Sequence, residues 1–266
     1  ADNLMSAERD HREGQIKNCL KQYTDVAHEF EKLNDYETAS YFYNKCLEVS
    51  VESKYIDGEA NAYMGLGICE EKVLNIFQAM GFLETARDKT IEGNISKLEK
   101  IVSKELVRVY QIIAIQFQDS NEFDKSLNFF QKCLDASQKA EKKDQEAECY
   151  QKIGNIYEKL GDLEKAIEML NKFLQLCNET ESISKSKAGE AHNQLAETHS
   201  KNGNVQQAMK HLEERSIIAN DEKDKPAQAD AFLKLGLLYY QEGMIRKAVD
   251  YLQKHFELAR ADSEVT

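Results

Sequence analysis

The sequence predicts an all-α protein, a solenoid built from antiparallel helix pairs. Three observations favour this fold class. The chain has 12 Gly and one Pro among 266 residues, too few turn formers for an all-β fold. Hydrophobic residues make up 41% of the chain and recur with the period of amphipathic helices. The same helical pattern returns about every 40 residues along nearly the whole chain, which indicates a repeat architecture.

Each repeat contains a helix that begins just after a turn residue. An apolar residue follows the turn residue after two positions, and a small residue follows three positions later. The clearest examples are residues 34–39, 121–126, 161–166 and 243–248. Core-type residues then recur four and seven positions after the small residue, so that they share one face of a helix.

The helix before each turn carries a Gly or Ala between aromatic or aliphatic residues. These small residues are Ala27, Gly67, Ala114, Gly154, Ala196 and Gly236, with successive separations of 40, 47, 40, 42 and 40 residues. Small side chains let two helices approach closely, and the aromatic residues fill the space between helices. A single helix pair cannot bury its apolar stripe alone, so neighbouring pairs must stack.

The spacing predicts one solenoid of about six repeats over residues 16–262. Residues 1–15 repeat the pattern at the join between two repeats, so we expect the tail of a preceding repeat there. The 47-residue interval predicts an insertion near residues 88–100. We expect this insertion to lengthen the helix that carries Ala86 or to form a charged loop. The terminal repeats are expected to pack on other segments or subunits, because a solenoid end otherwise exposes apolar surface.

Composition narrows the classes of function. The formal net charge is −12, and an acidic surface repels phosphates, so neither nucleic acid nor a membrane is an expected partner. The six cysteines occur singly, which favours reduced thiols in a cytosolic compartment. No nucleophile motif, phosphate-binding loop or kinase signature occurs, so we predict no enzymatic activity, no catalytic residues and no cofactor.

Histidines provide the strongest hint of a metal site. His192 and His199 lie seven residues apart on one predicted helix, whereas helical metal ligands usually lie four apart. Both occupy positions where other repeats have Tyr or Phe, so we interpret them as core imidazoles and predict no metal site. The remaining histidines, including His211, are expected to be scattered.

The Leu-Gly, Tyr, Ala and aromatic positions described above resemble those of the tetratricopeptide repeat. The resemblance covers residues 20–260, although the repeats exceed the 34 residues usual in this family and lack its closing Pro. It implies a right-handed superhelix in which the first helix of each repeat lines a concave groove. By that analogy, five residues of the fourth and fifth repeats form the candidate partner-binding site: Gln151, Asn155, Glu158, Asn193 and Glu197.

The resemblance implies a protein-interaction scaffold. The long, acidic, Lys- and Glu-rich repeats are similar to the axonemal branch of the family. This similarity implies a place in a large, dynein-associated assembly of the cilium axoneme, with dynein-side or adaptor proteins as partners and a cytoplasmic or cytoskeletal location. The alternative is a soluble adaptor that binds a short peptide motif, as in kinesin light chains or cell-polarity scaffolds.

Overall fold

The computed structural model describes the backbone of residues 2–263 and the side chains of residues 5–260. Over this range the chain forms thirteen α-helices and no strand. The helices are α1 (Asp2–Arg12), α2 (Ile16–Lys32), α3 (Tyr36–Glu52), α4 (Ile56–Lys72), α5 (Ile76–Glu92), α6 (Ser96–Asp119), α7 (Phe123–Lys139), α8 (Lys143–Leu160), α9 (Leu163–Glu179), α10 (Lys185–Lys201), α11 (Val205–Asp221), α12 (Lys225–Gln241) and α13 (Ile245–Ser263).

Short turns with a left-handed residue separate most helices. Such residues occur at intervals of 20 at positions 14, 34, 54, 74 and 94, again at 121, 141 and 161, and again at 203, 223 and 243. At Asn34 the turn is closed by backbone bonds from Asp35 N to Phe30 O and from Asn34 N to Glu31 O, both 2.9 Å. These two bonds form the C-cap that ends a helix and reverses the chain. Each repeat is therefore two helix-and-turn modules of about 20 residues.

The contacts divide the chain into two compact units, Ala1–Lys142 and Lys143–Thr266. In the first unit α2 packs on α3, α4 on α5 and α6 on α7, and α1 packs on α2. In the second unit α8 packs on α9, α10 on α11 and α12 on α13. The predicted fold class, all-α with consecutive helix pairs, is confirmed. The single solenoid over residues 16–262 and the assignment of residues 1–15 to a preceding repeat stay predictions.

Glycines of the first helices lie in close contact with the second helix of their pair. A methyl group built on Gly67 would lie 2.6 Å from Leu83 Cγ and 3.2 Å from the carbonyl oxygen of Ala79. Gly154 faces Leu170 Cγ in the same way, at 2.9 Å. The predicted role in close packing is confirmed for these two glycines.

Ring stacking joins the two helices of most pairs. Two rings of the first helix, seven residues apart, lie on either side of one ring of the second helix. Phe42 stacks between Tyr23 and Phe30, with ring centroids 6.3 and 5.8 Å apart. The same arrangement of three rings recurs at Tyr110, Phe129 and Phe117, at Phe232, Tyr251 and Tyr239, and at His192, His211 and His199.

The extra residues of the 47-residue interval lie in α6. This helix has 24 residues, whereas α5, which carries Ala86, has the 17 residues typical of its neighbours. A turn at residues 93–95 separates the two helices. Both expected forms of the insertion, a longer α5 and a charged loop, are therefore wrong. The added segment is helical because Leu98 and Val102 are buried and continue the apolar stripe of α6.

Candidate protein-binding face

The five predicted groove residues lie on the first helices of two adjacent repeats in the second unit. Gln151, Asn155 and Glu158 are on α8, and Asn193 and Glu197 are on α10; all five side chains are partly exposed. Gln151 reaches across to α10, where its Nε2 donates to Glu190 Oε1 at 2.8 Å. The structure therefore brings the predicted residues of the two helices onto one surface.

Glu158 links α8 to the C-terminal end of α10. Its carboxylate forms an ion pair with Lys201 and lies 3.3 Å from the hydroxyl of Thr198. Thr198 is completely buried, so this contact anchors Glu158 to the interior of the repeat. The carboxylate is consequently held in place on the surface between the two helices.

Asn193 is the centre of a polar network that joins α10 to α11 and α12. Its Nδ2 donates to Glu197 Oε1 at 3.1 Å, while its Oδ1 accepts from Arg215 at 2.9 Å and from Lys234 Nζ at 2.8 Å. Lys234 also donates to Glu197 at 2.6 Å and lies 3.3 Å from Asp230, which pairs with Arg215. We call the surface shared by the three first helices α8, α10 and α12 the α8–α10–α12 face.

Sequence reasoning missed the two basic members of this network. Lys234 lies two positions before the small residue Gly236, whereas Asn193 lies three before Ala196 and Glu197 one after it. Arg215 belongs to a second helix, so the groove analogy could not point to it. Burial alone would raise the pKa of Asp230, but the hydrogen bond from Arg215 and the charges of Lys234 and Arg215 lower it below its usual value.

Asn155 differs from the other predicted residues. No described group forms a hydrogen bond with its side-chain amide. The side chains of Asn193 and Gln151 form hydrogen bonds, and Glu158 forms an ion pair. A partly exposed Asn can both donate to and accept from the backbone of a bound chain. Within this face, Asn155 therefore offers hydrogen bonds that the protein itself does not use.

Two cavities open beside the network. One, of about 260 Å³, is lined by residues that include Glu190, Asn193 and Arg215. The other, of about 330 Å³, is lined by Glu197, Lys201 and Lys234 and by the apolar side chains of Leu212, Leu237 and Leu238. The polar network thus borders spaces large enough for side chains of a partner.

The histidines do not follow the sequence-based expectation in full. His192 and His199 occupy the aromatic positions, as predicted, but His211 packs between them and is not isolated. Across the part of the chain that the structure describes, no group of three or more His, Cys, Asp or Glu side chains is arranged to hold a metal ion. Within that same part, no helix is long and apolar enough to span a bilayer.

Stacked pairs of antiparallel helices define the class of helical-repeat proteins. The family model of the tetratricopeptide repeat matches residues 106–179 and 187–261, more than half of the chain. The chain therefore belongs to the tetratricopeptide repeat family, whose domains bind protein partners or peptide motifs. No curated protein sequence matches it.

Several solved structures are similar to this chain. The signal-transduction ATPase with a tetratricopeptide repeat sensor from Pyrococcus horikoshii has a TM-score of 0.53 and 16% identity, over 98% of this chain and 43% of that protein. BtubC (BKLC) from P. vanneervenii has a TM-score of 0.48 and 17% identity, over 84% of this chain and 91% of that protein. A putative kinesin light chain from Podosopora anserina has a TM-score of 0.44 and 14% identity, over 76% of this chain and 96% of that protein. At these identities the likeness concerns the fold alone.

Proposed function

We propose that the protein is a non-enzymatic interaction scaffold in a large assembly and that its α8–α10–α12 face contacts a protein partner. One observation carries the proposal. Side chains bridge α8 to α10 through Gln151 and Glu158, and α10 to α12 through Lys234, so the three helices present one continuous polar surface. A surface whose side chains are already ordered loses little conformational entropy when a partner binds.

The proposed partners are dynein-side or adaptor proteins of the cilium axoneme. Repeat length and the Lys- and Glu-rich helix surfaces, similar to those of the axonemal tetratricopeptide repeat protein 29, support this proposal. The net charge of −12 favours partners with basic surfaces over the acidic tails of microtubules, because like charges repel. On α13, Ile245, Val249 and Phe256 are more than half exposed, which supports packing of this helix on another segment or subunit.

A peptide-motif adaptor is the second candidate. The side-chain amide of Asn155 has no hydrogen-bond partner among the described residues, and the cavity beside Lys234 has apolar lining residues on which one side chain of a short motif could pack. Such an adaptor would bind reversibly through few contacts, whereas a scaffold interface would extend over many.

Co-purification separates the two candidates. The whole chain is used to capture proteins from an axonemal extract, and bound dynein subunits are quantified by mass spectrometry. The test variant carries Asn155→Ala and Asn193→Ala, and the control carries Gln175→Ala, which lies exposed on the second helix α9. A scaffold with a broad interface retains dynein subunits in both variants, since most single interface residues contribute little.

Two other outcomes would count against an axonemal scaffold. Loss of all captured proteins with the double variant, but not with the control, indicates a peptide adaptor. Absence of dynein subunits from the wild-type capture contradicts the axonemal assignment.

A further inference from the structure

The stacked rings between α10 and α11 differ chemically from those of the other pairs. Where α12 and α13 have Phe232, Tyr251 and Tyr239, this pair has three histidines. His211 of α11 lies between His192 and His199 of α10, with ring centroids 5.1 and 5.5 Å away, and the rings of His199 and His211 are within 12° of parallel. We call these residues the histidine stack.

The hydrogen bonding of the histidine stack requires unprotonated nitrogens. Nδ1 of His192 and Nδ1 of His211 are 2.9 Å apart, so one of them donates and the other must accept through a lone pair. The contact therefore survives only while at least one of these two atoms carries no proton. Nδ1 of His199 is buried without a hydrogen-bond partner. A proton there would create a buried N–H with no acceptor.

The surroundings oppose protonation of these rings. Burial lowers the pKa of His192, against a smaller opposing effect of Glu214, and burial also lowers the pKa of His199. Burial lowers the pKa of His211 to about 4, and positive charge on the other two rings and on Lys210 contributes. The helices packed against this pair contribute further titratable groups that contact it. These are Cys177 on α9, Glu158 on α8, which pairs with Lys201, Asp230 and Lys234 on α12, which pair with Arg215 and Glu197, and Tyr239 on α12, whose hydroxyl donates to Glu213 of α11.

We propose that the histidine stack is an acid-sensitive joint between α10 and α11, and that its protonation loosens this pair and disrupts the α8–α10–α12 face. Protonation of the histidine stack affects the α8–α10–α12 face because α10 carries Asn193 and Glu197, while α11 carries Arg215. In the other three-ring stacks among residues 5–260, the rings are Tyr and Phe, which stay uncharged in acid. The acid sensitivity of the α10–α11 pair does not depend on which protein the face binds.

The direction of the pH dependence follows from linkage. The pKa of each histidine is lower in the folded protein than the ordinary value of 6.5, so the unfolded state takes up more protons below that pH. The stabilisation is fully present above about pH 6.5 and is lost progressively as the pH falls toward the folded value of His211, about 4.

The test compares thermal unfolding of three proteins, followed by circular dichroism from pH 7.5 to pH 5. The first is the wild type, and the second carries H192F, H199Y and H211Y, which reproduces the rings of the α12–α13 pair. The third, H28F, removes a histidine outside the stack. We expect the Tm of the wild type and of H28F to fall by at least about 5 °C more than that of the triple variant. Equal falls in all three proteins would overturn the proposal.

A second measurement uses the wild type alone, in case the triple variant does not fold. The imidazole C–H signals of all six histidines are followed by NMR as the pH is lowered. We expect three signals to titrate clearly below pH 6.5, together with changes in the amide signals of Asn193 and Arg215. Six independent titrations near the ordinary value, with no change at those amides, would contradict the acid-sensitive joint.

Discussion

The hydroxyl of Ser126 donates a hydrogen bond of 2.7 Å to the carbonyl oxygen of Ala114 across the α6–α7 contact. Ala114 is the small residue of the first helix of its repeat, and Ser126 is the small residue of the second. Ser126 is completely buried, so its polar group would be costly to the fold without this bond. The pair shows how a repeat position that elsewhere holds Ala accommodates a hydroxyl.

Size and polarity at Ser126 are expected to have very different effects. Ser126→Ala should change the free energy of unfolding by no more than about 1 kcal/mol, because the carbonyl of Ala114 keeps its partner within α6. Ser126→Leu should destabilise by about 2–3 kcal/mol, since it overpacks a closed helix contact. Urea unfolding measures both values. A tolerated Ser126→Leu would contradict the close approach of α6 and α7.

Two helical glycines provide a matched test of the close helix contacts. Gly67→Ala should destabilise by about 1–3 kcal/mol, because the new methyl group would meet Leu83 at 2.6 Å. Gly81→Ala, on α5, has open space around its Cβ and should stabilise by about 0.5–1 kcal/mol through helix propensity. Thermal unfolding of each variant shows whether the substitution raises or lowers the Tm. A higher Tm for both variants would contradict the close contact of α4 and α5 at Gly67.

The turn at Leu74 is expected to tolerate glycine better than leucine. Leu74 is 80% exposed and adopts a left-handed conformation with φ of 66°. Leu74→Gly should therefore stabilise the protein by about 0.5–1 kcal/mol. Leu33 provides the control, because it is also exposed and has an ordinary φ of −86°. Leu33→Gly should destabilise by a similar amount, and equal shifts in Tm would contradict the turn geometry.

The cysteines are expected to be unreactive in the folded protein. All six are buried, so a reagent in solvent cannot reach them in the folded state. Burial also raises the pKa of Cys46 to about 11, so this thiol is almost entirely protonated near pH 8. Incubation with iodoacetamide at pH 8 should leave the mass of the folded protein unchanged, whereas the protein in guanidinium should gain six adducts. Rapid modification of the native protein would show that these thiols are accessible.

The repeat pattern made the helix pairs predictable but concealed the form of the insertion near residues 88–100. Seven extra residues amount to almost two turns of helix, so the apolar stripe of α6 stays in phase and shows no break. The segment near the start of α6 is rich in Lys and Glu, a composition that is also typical of a charged loop. The buried Leu98 and Val102 within that segment were the signal for a longer helix.

The candidate face was predictable only where it follows the backbone register. Asn193 and Glu197 lie at repeat positions that the family resemblance assigns to the groove. Arg215 and Lys234 reach the face with long side chains from other positions, and the sequence pattern does not record that reach. His211 could have been found, because the other stacked rings of second helices, such as Phe42 and Tyr251, also lie 19 residues after their first-helix partners.

Cross-linking mass spectrometry of the native assembly tests the proposed binding face most directly. The first helices carry Lys152, Lys201 and Lys234, and the second helices carry Lys172, Lys210 and Lys254. Binding at the α8–α10–α12 face predicts cross-links to the partner from the first group, with few from the second. Partner cross-links confined to the second helices would contradict it.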